Sequence, residues 1–162
     1  MSRAVAFLYG GVCYVIFFVT FLYAIGFVGN LVVPKGIDSG TVGPVSRALI
    51  FNVVLMGLFA LQHSVMARPG FKRWWTRFVP ETVERSTFVL FTTIALGLLY
   101  WLWQPMTATV WSVTDPVWNG VLWAVFAVGW GIVLLSTFMI GHFELFGLEQ
   151  VFLHLRSRQP AE

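Results

Sequence analysis

The chain has 162 residues, 58% of them hydrophobic and 10% charged, with a mean hydropathy of +0.81 and a net charge of +3. Seventeen charged side chains cannot clothe a soluble globule of this size, whose charged share would be about 25%, and the apolar content excludes a disordered tail. Ten Lys and Arg set beside long apolar runs give no basic face for nucleic acid, so an integral membrane protein remains, with the lipid bilayer as its first partner.

Four stretches contain no Asp, Glu, Lys or Arg: Ala4 to Pro34, Ala48 to Ala67, Ser86 to Thr114, and Pro116 to Phe143. A spanning helix needs about 20 apolar residues, because the hydrocarbon core is about 30 Å thick. Each stretch is long enough. The pattern lacks the alternating segments of about ten residues that a membrane barrel shows. It predicts an all-α bundle of four transmembrane helices with short interfacial helices, in a single domain over 1–162. The spans are expected at about 5–33, 48–67, 86–104 and 118–141. No internal repeat is visible.

The first run is about twice the apolar core of a secretory signal and is followed by no Ala-x-Ala site. It therefore reads as a retained helix that is tilted, extended into the interface, or broken near Gly26 and Gly29. Its single cysteine, Cys13, reads as a small packing residue and permits no internal disulfide. No Cys-x-x-Cys pair exists, and no metal is expected. Ala6 and Gly10 in this span, and Gly120, Ala124, Ala127 and Gly131 in the fourth, are small residues that let membrane helices approach, or simply common membrane residues. A homo-oligomer stays open.

The second span carries Asn52, Gln62 and His63 and is stopped by Pro69 and Gly70. Then Phe71, Trp74, Trp75 and Phe78 fall at i, i+3, i+4 and i+7, with Arg73 and Arg77 on another face. This is the pattern of a short helix lying in the membrane surface. Pro80, Glu81 and Glu84 suit the start of the third span and its positive dipole end. Alternatively, Glu84 and Arg85 meet a ligand arriving at the membrane face. After the fourth span comes His142, with Glu144 close by, where an acid and a base abut. Gly147 interrupts the pattern, and Leu145, Leu148, Phe152 and Leu155 form the apolar face of a second interfacial helix.

Cytoplasmic loops carry excess Lys and Arg. The segment between spans two and three holds Arg68, Lys72, Arg73, Arg77 and Arg85. That between spans one and two holds Lys35 and Arg47, and that between three and four holds none. Arg3, Arg156 and Arg158 lie at the ends. Both termini are therefore expected in the cytoplasm, with eight of the ten cations. His63 and His142 then end spans two and four in the same leaflet. Three readings compete for this pair: a bridge between helices, part of a substrate or cofactor pocket, or two axial ligands of a haem.

The run Leu61-Gln62-His63-Ser64-Val65-Met66-Ala67-Arg68-Pro69, then Phe71 through Pro80, then Glu84-Arg85-Ser86-Thr87, closely resembles the bacterial methanethiol S-methyltransferases. So does Ser136-Thr137-Phe138 through His142-Phe143-Glu144-Leu145-Phe146-Gly147-Leu148. That family groups with the NnrU-type membrane proteins and, more distantly, with the isoprenylcysteine carboxyl methyltransferases. The resemblance covers essentially the whole chain. It implies a multi-pass enzyme of the bacterial inner membrane that moves a methyl group from S-adenosyl-L-methionine to a small thiol, methanethiol, giving dimethyl sulfide. His63, His142 and Glu144 are the candidate catalytic bases, and Arg68, Glu84 and Arg85 the candidates for contact with the cofactor. Family members continue into a C-terminal half, which resembles the cofactor-binding half of the carboxyl methyltransferases, with an Arg-His-Pro motif and a Glu-Glu pair. This sequence has neither and is expected to correspond to the N-terminal part. A haem-carrying subunit and a non-catalytic association module stay open beside the enzyme.

Overall fold

The computed structural model describes residues 2–156; Arg158 lies outside the described residues. Every element among them is a helix: α1 (Arg3–Gly29), α2 (Val45–Met66), α3 (Pro69–Trp75), α4 (Glu81–Leu102), α5 (Pro116–Ile140), α6 (His142–Leu145) and α7 (Leu148–Leu155). Four of these, α1, α2, α4 and α5, are long and apolar enough to cross a membrane. The chain is a multi-pass membrane protein.

Local chemistry sets the helix ends. Ser2 Oγ accepts the Val5 N–H at the start of α1. Asp115 accepts from Val117 and Trp118 N–H at 2.9 and 3.0 Å, with Pro116 at the first helical position of α5. The first span ends at Gly29 rather than near position 33, because Asn30 turns left-handed (φ 52°) and the Leu31 N–H closes on the Gly26 carbonyl at 2.8 Å. At about 1.5 Å per residue, its 27 residues are still longer than the bilayer core. The third span begins at Glu81, five residues before its charge-free stretch, since an acid is favoured in the first turn of a helix.

Helix α4 is central. It packs against α1 on one side and α2 on the other, while α7 lies across α1 and α4. At the end of the bundle that carries α3, Ala6, Val83 and Val151 form a small core with Tyr9 and Val79. At the opposite end Phe27, Leu99 and Tyr100 form another, backed by Tyr23, Leu55 and Trp103. The buried hydroxyls of Ser86 and Thr93 find no hydrogen-bond partner among the described residues, whereas other polar groups at these depths are paired. Asn52, 2% exposed, donates to the Gln104 carbonyl (2.8 Å) and accepts the Gln104 N–H (2.9 Å), so one amide pins α2 to the irregular segment after α4. Lys35 Nζ donates to the Trp101 and Trp103 carbonyls, where α4 presents its negative end. Burial draws the Lys35 ammonium below its usual pKa.

Helix α5 buries none of its residues. It leans on α1 through Phe21 and Trp130, whose rings meet edge to face at 5.6 Å. Helix α7 differs from its expected face. The residue it buries is Val151, fully enclosed, whereas Phe152 and Leu155 stay exposed. The sequence pattern finds the wider apolar stripe. The docking side is chosen by Gly10 of α1, where the missing side chain admits the two Val151 methyl groups.

Candidate functional site

The two candidate histidines occupy opposite chemical states. Gly141 (φ 113°) ends α5, and His142 follows as the first residue of α6, 3% exposed. Its Nδ1 lies 2.8 Å from Thr137 Oγ1 and its Nε2 2.8 Å from Tyr14 Oη. Thr137 also points its hydroxyl at the Leu134 carbonyl, 2.6 Å away. A carbonyl only accepts, so the single Thr137 proton goes there and Oγ1 must accept from Nδ1–H. Nε2 is then unprotonated and accepts from Tyr14. The hydrogen-bond network, not an observed proton, assigns this tautomer. Phe138 stacks on the imidazole at 4.2 Å, and Phe146 meets it edge-on at 4.8 Å. Burial holds the His142 pKa below its ordinary value.

His142 is therefore a saturated bridge between α1 and the α5–α6 corner. Neither of its nitrogens is left for an iron, which removes the paired axial ligation considered for a haem. Glu144 is exposed and bonds to neither ring nitrogen, because Tyr14 and Thr137 already hold both. The acid and base that abut in sequence do not pair in space.

His63 is different. It lies on the last turn of α2 with its ring between Phe59 (5.8 Å) and Phe88 (5.2 Å). Neither nitrogen has a hydrogen-bond partner among the described residues. The imidazole lines a pocket of about 280 Å³ whose polar wall is Lys72, Glu84 and Arg85 and whose apolar wall includes Met66, Phe88 and Leu145. Glu84 is 6% exposed. A carboxylate this enclosed needs a partner, and Lys72 Nζ supplies one at 3.1 Å. That ion pair ties α3 to α4. One turn on, Trp75 stacks on Phe71 at 5.8 Å and meets Phe91 of α4 edge-on. Gly147 (φ 81°) brings the α6–α7 turn against α4 beside Arg85. A Cβ there would lie 2.7 Å from Ser86 Oγ and 3.1 Å from Arg85 Cβ.

The structure thus gathers His63, Glu84 and Arg85 at one pocket and leaves His142, Glu144 and Arg68 out of its lining. Arg68 is exposed at the start of α3. Lys72 is the site residue that sequence reasoning passed over. Its signal was Glu84 itself, an acid entering a span beside a strongly basic loop. No group of three or more His, Cys, Asp and Glu side chains among the described residues is placed to hold a metal ion.

Comparison with known proteins gives a consistent set of relatives. A methanethiol S-methyltransferase of Mycobacterium tuberculosis is 54% identical over 162 residues, covering 100% of this chain and 66% of the relative. Methanethiol S-methyltransferase 1 of Bradyrhizobium diazoefficiens is 55% identical over 157 residues, 97% of this chain and 55% of the relative. Nurim of Mus musculus is 29% identical over 114 residues, 67% of this chain and 43% of that protein. The chain spans about two-thirds or less of the length of these relatives. No family model and no solved structure matches it.

Proposed function

The chain belongs to the methanethiol S-methyltransferase family, and on that premise we propose that the protein transfers a methyl group from S-adenosyl-L-methionine to methanethiol, giving dimethyl sulfide. We place it in the bacterial inner membrane with both termini in the cytoplasm. The support for that orientation is the crowding of cations around α3. The pocket beside His63 then faces the compartment in which the donor is made.

The observation that carries the reading is the open imidazole of His63, set beside a half-buried guanidinium and an enclosed carboxylate. The pocket fits part of such a donor. Its volume of about 280 Å³ falls just below the range of about 300–1,000 Å³ that encloses a whole drug-sized ligand. Arg85, without a hydrogen-bond or ion-pair partner among the described residues, offers an unmet cation. Bound there, S-adenosyl-L-methionine supplies a methyl group made electrophilic by its sulfonium.

The remaining work falls to the protein. A thiol is mostly protonated at neutral pH, and the thiolate is the nucleophile. His63 takes the thiol proton, and the positive pocket favours the thiolate left behind. Met66, Phe88 and Leu145 keep water from the sulfur and hold a small apolar thiol in place. The sulfur forms its bond to the methyl carbon as the bond to the donor sulfur breaks. S-adenosyl-L-homocysteine and dimethyl sulfide leave, and His63 returns the proton to water.

The test is dimethyl sulfide release from membranes carrying the protein, supplied with donor and methanethiol. His63→Ala is expected to lower the rate by about 10²-fold or more, the usual share of a general base, with an unchanged thermal midpoint. An unchanged rate removes His63 from the reaction.

A further inference from the structure

A groove of about 270 Å³ runs between α1 and α4 at the end of the bundle away from α3. Helix α1 supplies Val19 and Tyr23, and α4 supplies Gly97 and Trp101, each pair one helical turn apart. Gly97 keeps the groove open, since a Cβ there would meet nothing within 4 Å. Thr20 also lines it, but its hydroxyl donates to the Ile16 carbonyl at 2.8 Å and offers no proton to a ligand.

The one charged group of the lining is Lys35, half-buried and held in place from both sides. Tyr23 Oη donates to the Lys35 carbonyl at 2.9 Å and accepts the Lys35 N–H at 3.3 Å, which fixes its backbone. The ammonium donates to the Trp101 and Trp103 carbonyls. An ammonium carries three donors, so one is left. Both partners are neutral, and no carboxylate pairs with Lys35 among the described residues. The nearest acid in sequence, Asp38, takes the Asn30 amide instead. The negative end of α4 offsets only part of a full charge. A cation drawn partly out of water and left without an anion is a binding demand not met within the fold.

Depth identifies the ligand. Trp101 is 72% exposed beside Lys35, and an exposed indole at a span end belongs to the headgroup level of a bilayer. Val19 and Gly97 lie one turn, about 5 Å, deeper, and both are exposed toward the hydrocarbon. The occupant is therefore anionic at headgroup level and apolar just below it. We propose that this groove binds one anionic phospholipid of the phosphatidylglycerol type. Its phosphate takes the free donor of Lys35, and the upper part of one acyl chain lies against Val19 and Gly97. A phosphatidylethanolamine brings its own ammonium beside Lys35 and is disfavoured by like charge. The site lies at the other end of the bundle from His63 and does not depend on the methyltransferase reading.

Native mass spectrometry of the detergent-solubilised protein tests it, by titration with phosphatidylglycerol or with phosphatidylethanolamine of the same acyl chains. The wild type is expected to hold its first phosphatidylglycerol about tenfold more tightly, the worth of a hydrogen bond to a charged group. Lys35→Gln, which removes the charge and keeps a donor, is expected to abolish that preference. Gly97→Leu fills the groove and leaves Lys35 and its bonds in place. It is expected to weaken phosphatidylglycerol by about tenfold, the worth of about two buried methylene groups. Arg47→Gln removes an exposed cation at the same end of the bundle and is expected to change neither affinity.

No preference in the wild type, or one that survives Lys35→Gln, overturns the proposal. Equal loss in Arg47→Gln assigns the preference to diffuse attraction and overturns it too. Should Lys35→Gln fail to fold, an unchanged lipid affinity in Gly97→Leu overturns it alone. Displacement of the lipid by glycerol 3-phosphate at equal potency assigns Lys35 to a soluble anion. A dimer that Gly97→Leu dissociates assigns the groove to a second copy of the chain. Either result overturns the lipid site.

Discussion

Tyr14 has one proton to give, and His142 Nε2 takes it at 2.8 Å. Tyr14→Phe keeps the ring but leaves a buried acceptor without a donor, so it is expected to cost about 1–3 kcal/mol, seen as a lower thermal midpoint. The same bridge gives a pH dependence whose sign follows from burial. The folded protein holds the His142 pKa below its ordinary value of 6.5, so the unfolded chain takes up the proton first as pH falls. Stability from this group is therefore complete above the unfolded pKa and is lost as pH drops through that value toward the lower folded one. Thermal midpoints are expected to fall between about pH 7.5 and pH 5.5 and to fall less in His142→Asn. An equal slope in the variant sinks the assignment. In the sequence His63 and His142 look alike, each at the end of an apolar run. What separates them is a tyrosine 128 positions from His142, and no local pattern contains it.

At the scale of elements, the bundle depends on close approach. Gly10 faces Val151 so tightly that an added Cβ would lie 2.7 Å from one γ-methyl and 2.9 Å from the other. Gly10→Ala is expected to push α7 off α1 at a cost of about 1–3 kcal/mol. Val151→Ala removes both methyl groups and should restore part of the loss in the double variant. Strictly additive losses in thermal midpoint would show that the two sites are not in contact. The amphipathic pattern of α3 was legible because Phe71, Trp74 and Trp75 repeat at helical spacing. The start of α4 was legible in Pro80, Glu81 and Glu84, ahead of the charge-free stretch, and the helix begins at Glu81. An acid in a first turn is welcome to the helix dipole, and Glu84 is also neutralised by Lys72.

For the whole molecule, the distribution of cations makes a claim about orientation that labelling can check. With Cys13 replaced by Ser, single cysteines at Ser39 and Val110 should react with a membrane-impermeant maleimide in intact cells. Gly70→Cys at the start of α3 should react only after lysis. The reverse pattern would turn the pocket away from the donor's compartment. Val110 and Gly70 are exposed and Ser39 is half-buried, so failure to label at the first two reports the membrane rather than burial.

Sequence by itself determined the four long apolar helices, the short helix after the second of them and the family. A bilayer imposes length and apolarity on contiguous residues, and contiguous residues are what a sequence displays. The tertiary structure decided which histidine is saturated and which is open. It also decided that Lys72 neutralises Glu84, and that Arg85 stands without a partner among the described residues. Those outcomes depend on groups brought together from different helices. In a low-dielectric interior an unpaired polar atom is costly, and only the packing of α1, α3, α4 and α6 determines which partners are within reach.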